Sequence, residues 1–125
     1  MGKQAPRRDG PGSSYRLDWS DFDREPTNGR VDGPTWDDVR SLVEHLGRNE
    51  DTGGFIILGR GEGDYIQCAR QGRGLVAEYH EPEGDEHFAA AGGPLPAEDI
   101  LALFRAWFDD PRSIADHGDW EPMEI

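Results

Sequence analysis

One cysteine, Cys68, and one lysine, Lys3, stand among 125 residues. A single cysteine rules out an intrachain disulfide and a cysteine-based zinc cluster, and a reducing cytoplasm is the expected setting. Positive charge is scarce: 13 Lys and Arg face 26 Asp and Glu, a formal net charge of -13. So acidic a chain lacks the basic footprint that phosphate binding needs, which argues against nucleic acid as a ligand. No run of about eighteen apolar residues is present to cross a bilayer, and the N-terminus has no apolar signal core, so no membrane role is expected.

The natural complement of this charge is a basic protein partner, although acidic surface also serves simply to keep a protein dispersed. The charge is uneven. Residues 1–14 hold Lys3, Arg7 and Arg8 against Asp9, a net of +2, whereas residues 81–125 hold twelve acids against Arg105 and Arg112, a net of -10. With one chain of ordinary domain length, the expectation is a tail over 1–14, rich in Gly, Pro and charge, and a single α+β domain over 15–125.

Along the chain, Tyr15, Leu17, Trp19 and Phe22 alternate only partly with acids and suit an edge strand or a loop pinned by aromatics. Glu25 to Pro34 is turn chemistry throughout. A helix then opens at Thr35, with Asp38 as capping-box partner, and stops at Gly47. Its stripe is Trp36, Val39, Leu42, Val43 and Leu46, with Trp36 read as a core or boundary aromatic rather than a ligand platform. Phe55-Ile-Ile-Leu58 reads as a strand running into the glycine loop 59–63. That loop joins strand to strand, which excludes a phosphate cradle at a helix N-terminus.

The stretch from Gly63 to His80 reads as a hairpin closed by Gly72-Arg73. A two-residue turn fixes the register: Gln67 opposes Glu78 and Tyr65 opposes His80. Ile66, Cys68, Leu75, Ala77 and Tyr79 then share the packed face, and Tyr65, Gln67, Ala69, Val76, Glu78 and His80 share the open one. Residues 86–90 suit a returning fourth strand. A second helix starts near Pro96, with Glu98 and Asp99 at the positive end of its dipole, and carries Ile100, Leu101, Leu103, Phe104, Trp107 and Phe108. Beyond Asp109 the chain reads as acidic and irregular. The expected fold is therefore α+β, an antiparallel sheet of about four strands with two helices on one face.

Two surfaces are candidate sites. Tyr65, Gln67, Glu78 and His80 bring a phenol, an amide, an acid and an imidazole together on the open face, where cross-strand polar pairs also form with no ligand at all. Glu and His so placed can transfer protons in principle, but no nucleophile or oxyanion donor set accompanies them, so recognition is favoured over catalysis. His80 and His87 raise the question of a metal, yet with Glu78, Glu81, Glu83, Asp85 and Glu86 they match no fixed ligand spacing. No metal, cofactor or catalytic residue is assigned. His45 near the end of the first helix suits the dipole and needs no further role.

The second surface sets Trp107, Phe108, Trp120 and Met123 among Asp109, Asp110, Asp116, Asp119, Glu121 and Glu124. An aromatic anchor ringed by carboxylates is how an acidic inhibitor grips a basic enzyme. The plain alternative is a buried Trp107 and Phe108 beside a solvated tail.

The pattern Tyr65-Ile66-Gln67, Ala77-Glu78-Tyr79-His80, His87-Phe88, then an amphipathic helix with Trp107 and a closing Trp120, resembles a family of small α+β proteins common in actinobacteria. Some of these look like immunity proteins that neutralise polymorphic toxins. The resemblance spans residues 53–122 and implies that Gln67, Glu78, His87 and Trp120 belong to a shared pattern, without transferring any catalytic role. The expected function is that of a non-enzymatic, acidic, cytoplasmic binding protein of immunity type, monomeric or homodimeric, that occludes a basic toxin-like partner. The alternative is a regulatory domain binding a small molecule or metal through Tyr65, Gln67, Glu78, His80 and His87.

Overall fold

The computed structural model describes residues 14–22, 27–49, 53–84 and 86–123. The expected tail lies outside the described residues except for Ser14. Among the described residues the elements are β1 (Arg16–Ser20), β2 (Gly29–Asp32), α1 (Trp36–Arg48), β3 (Phe55–Arg60), β4 (Asp64–Gln71), β5 (Gly74–His80), β6 (His87–Ala90), α2 (Ala97–Asp109), a 3-10 turn (Pro111–Asp116) and β7 (Trp120–Met123). The strands form one sheet in the order β2-β1-β3-β4-β5-β6-β7. Every neighbouring pair is antiparallel.

The expectation of about four strands and two helices is corrected by this sheet of seven strands and three helical segments. Two strands, β2 and β7, escaped the reading, and β1, expected as an edge strand or a loop, is an inner strand between β2 and β3; each depends on its neighbour more than on its own pattern. Residues 15–22 hold β1, whose Leu17 is fully buried. The turn-rich stretch before Pro34 contains β2, which offers Val31 as its one sizeable apolar residue yet pairs along its whole length with β1. Gly29 faces Trp19 there, and a Cβ at that position would lie 2.2 Å from the indole. The acidic stretch after Asp109 folds into the 3-10 turn and β7, despite Pro122. Proline is tolerated because β7 lies on the edge of the sheet.

Helix α1 begins as expected: Asp38 N donates to Thr35 Oγ1 at 3.2 Å, and Thr35 N donates to Asp38 Oδ2 at 2.9 Å. It ends later than expected, at Arg48, with Asn49 Nδ2 donating to the His45 carbonyl at 2.7 Å. Gly47 is thus inside the helix. Its lack of a side chain matters for packing, since a Cβ would come within 2.4 Å of Ala97 Cβ at the start of α2. The Arg70 guanidinium reaches from β4 to the Leu46 carbonyl and, at 3.1 Å, the Asn49 carbonyl, supplying donors that the last turn of a helix otherwise lacks.

Both helices lie on the same face of the sheet. Val39, Val43 and Leu46 of α1 and Ile100, Phe104, Trp107 and Phe108 of α2 are buried there against Leu17, Ile56, Leu58, Ile66, Cys68, Leu75, Ala77 and Tyr79. Each fully buried large apolar side chain is worth about 1.5–3 kcal/mol relative to exposure. Tyr15 closes the end of this core, its hydroxyl donating to the Phe108 carbonyl at 2.9 Å. Among the described residues Asp64 is the buried charged residue, and Arg60 Nε donates to its Oδ2 at 2.6 Å. No helix of the described residues is long and apolar enough to cross a membrane.

Candidate functional site: the open sheet face

The two-residue turn at Gly72-Arg73 sets the centre of the open face. Gly72 has a φ of 62°, which a type II′ turn requires at its first central position. From it follows the register Gln67↔Glu78 and Tyr65↔His80, and the next strand adds His80↔His87. The structure therefore brings Tyr65, Gln67, Glu78, His80 and His87 onto one face, each partly buried.

Their contacts are specific. Gln67 Nε2 donates to Glu78 Oε1 at 2.8 Å. The Tyr65 ring stacks on His80 at 5.6 Å between centroids, and its hydroxyl lies 3.0 Å from His87 Nδ1. His80 Nδ1 donates to the Gly63 carbonyl. Burial, with the Glu78 carboxylate adding to it, raises the Tyr65 phenol above its ordinary 10.0, so it stays protonated at neutral pH. The pairs that an exposed sheet would use for cohesion are thus all formed.

Beside this polar group runs an apolar strip that the sequence reading had not assigned to any site. Phe55 and Ile57 of β3 stand opposite Ala69 and Gln67 on the open face, and Val76 stands opposite Ala69 from the other side. Phe55, Gln67, Ala69, Val76 and Glu78 line an open concavity of about 290 Å³. The signal was in the sequence: Phe55-Ile-Ile-Leu58 is apolar at every position, and a strand with apolar residues on both faces is a strand expected to be covered on both. Toward β2 the strip gives way to charge, with Asp18 accepting from Arg30 Nε at 2.8 Å and Arg16 donating to the Gly61 carbonyl at 2.9 Å.

The acidic C-terminal candidates do not assemble as a ringed anchor. Trp107 and Phe108 are buried in the core, 1% and 5% exposed. Trp120 is half-buried on the helix side of β7, edge-on to Tyr79 at 4.6 Å, and its Nε1 donates to the carbonyls of Ile114 and His117 at 3.0 and 2.8 Å. Asp109 pairs with Arg105 at 3.0 Å, and Asp110 caps the 3-10 turn by accepting from Arg112 N at 3.2 Å. Asp116 and Asp119 are exposed. Met123, by contrast, stands opposite His87 on the open face, so strand alternation sends Trp120 and Met123 to opposite sides of the sheet.

Among the described residues no group of three or more His, Cys, Asp or Glu converges to hold a metal ion; Asp85 lies outside the described residues. Cys68 is fully buried on the helix side, where burial pushes its thiol from 9.0 up to about 12, and it is no nucleophile at neutral pH. Comparison with known proteins returns nothing: no family model matches the chain, and no curated protein or solved structure matches it.

Proposed function

We propose that this protein is a non-enzymatic acidic binding protein of immunity type, which occludes a basic toxin-like enzyme by docking it on the open sheet face. The observation that carries this reading is the apolar strip of Phe55, Ile57 and Val76 set beside the Gln67–Glu78 pair. Interfaces bind through buried apolar anchors framed by satisfied polar groups, and this face supplies both. The C-terminal surface has a hollow of about 250 Å³ lined by Leu95, Leu103, Asp119 and Trp120, but its aromatics are committed to the core and to the Trp120 hydrogen bonds, so the open face is the preferred docking surface.

Charge enters as steering. A net of -13 raises the encounter rate of a basic partner and makes it salt-sensitive, while the apolar strip sets how long the complex lasts. Docking by strand addition is disfavoured: the edge strands β2 and β7 have four residues each, one with outward Arg30 and Asp32, the other with Pro122. The size of the concavity, about 290 Å³, sits at the lower limit of small-molecule sites and fits a partner's side chain. A small ligand seated there is the second reading, and it would announce itself as concentration-dependent thermal stabilisation.

The test is whether the purified chain inhibits a toxin encoded beside it. Salt-sensitive inhibition at one-to-one stoichiometry is the expected result. A gene neighbourhood with no secreted toxin, or a toxin left fully active by excess protein, would contradict the proposal.

A further inference from the structure

Three neighbouring strands set His80, His87 and Met123 in one line across the open face. His80 stands directly opposite His87, and His87 directly opposite Met123, so each pair has its Cβ atoms about 5 Å apart. The two imidazole rings lie 4.6 Å apart between centroids, tilted by 44°. Rings that share one tetrahedral ion at about 2.1 Å per nitrogen have centres about 5 Å apart.

The hydrogen bonds fix one ring and allow the other the same tautomer. His80 Nδ1 faces the Gly63 carbonyl, which can only accept, so the neutral ring carries its proton on Nδ1 and a bare lone pair on Nε2. His87 Nδ1 lies 3.0 Å from the Tyr65 hydroxyl, which can donate or accept; in the tautomer in which Nδ1 donates to it, His87 Nε2 is bare as well, and ion binding would select that tautomer. Among the described residues neither Nε2 has a hydrogen-bond partner. Histidines that bind metals are held in this manner, one nitrogen fixed by a carbonyl or hydroxyl while the other ligates.

We propose that His80 Nε2, His87 Nε2 and the Met123 thioether bind a single cuprous ion on this face. Imidazole suits several transition metals, but a thioether selects Cu(I). Zinc favours four donors drawn from thiolate, imidazole and carboxylate, and no three such groups converge among the described residues. Calcium and magnesium need oxygen donors. Tyr65, stacked on one ring and bonded to the other, is a positioning residue for the pair. The linear spacing of the histidines matches no ligand motif; pairing of β5, β6 and β7 creates the set. This site is independent of the docking reading, and its failure would leave that reading standing.

The test is anaerobic competition of the full chain against the bicinchoninate complex of Cu(I). The wild-type chain is expected to withdraw one equivalent, and so is Cys68→Ala, which excludes the buried thiol as the ligand. Outer-sphere partners cost about tenfold to a hundredfold in affinity; His80→Asn and His87→Gln, which remove ligands, should cost about a hundredfold or more. Met123→Leu should weaken Cu(I) and leave Zn(II) unchanged. X-ray absorption of the loaded wild-type chain keeps the test free of folding effects, with two nitrogens and one sulfur expected around copper. Failure to withdraw copper, a shell without sulfur, loss of binding in Cys68→Ala, or zinc held as tightly as copper would each overturn the proposal.

Discussion

Strand β5 shows two surfaces of one sheet side by side. Leu75, Ala77 and Tyr79 are 1%, 0% and 3% exposed beneath the helices, while Val76, Glu78 and His80 on the other face are only partly covered. The covered face carries the stability: its residues meet two helices and form one continuous core. The open face carries apolar and polar groups in specific contact that this core does not need. It is the face on which the proposed partner would dock, since apolar residues exposed beside polar pairs are what such a surface needs.

The largest effect that could break this contrast is a cavity on the covered side. Phe104→Ala should lower the unfolding free energy by about 3–5 kcal/mol in urea denaturation, a large share of the roughly 5–15 kcal/mol of a typical domain. Next is Arg60→Ala, which strands the Asp64 carboxylate, 7% exposed, without its cation. A loss of about 3 kcal/mol is expected, the low end for breaking a buried pair because Arg60 itself is 34% exposed.

Cys68 gives the contrast a pH axis. Its thiol ionises near 9 in the unfolded chain and near 12 in the folded one, so the unfolded state releases the proton first. The corresponding stability is present below pH 9 and lost as pH rises toward 12, by about 1.4 kcal/mol per unit. In Cys68→Ala the fall between those limits should be shallower by that slope. The same burial should keep Cys68 unreactive toward thiol reagents until the chain unfolds.

At the small end, Thr35→Ala should cost about 1 kcal/mol through loss of the α1 cap. On the open face, Ile57→Ser should change stability by about 1 kcal/mol or less, since the residue is only partly buried. A large loss at Ile57 would show that this face supports the fold after all.

How much of this was legible beforehand follows the same division. The β4–β5 hairpin, its register and the sharing of its faces were readable, because a two-residue turn leaves one pairing and the alternation is clean. The stripes of α1 and α2 were readable from their 3.6-residue period. Edge strands were not: β2 and β7 contain a glycine, charges and a proline, and exist because β1 and β6 offer them partners. Missing β7 also hid the place of Met123 and made Trp120 look like a free anchor, when its indole is tied to the Ile114 and His117 carbonyls. The apolar Phe55 and Ile57 were noticed as a strand, but their outward face acquires meaning only once both helices are seen on the opposite side.

The most direct measurement compares two variants binding the adjacent gene's product: Ile57→Ser with Val76→Ser on the open face, and Asp116→Lys with Asp119→Lys on the acidic surface. Loss of an interface anchor worth about 2 kcal/mol speeds dissociation about thirtyfold, and that is the result expected for the open-face pair. The charge reversal should slow association and leave dissociation unchanged. Dissociation that speeds up for the charge reversal, and stays at the wild-type rate for the open-face pair, would contradict the assignment of the sheet face as the binding surface.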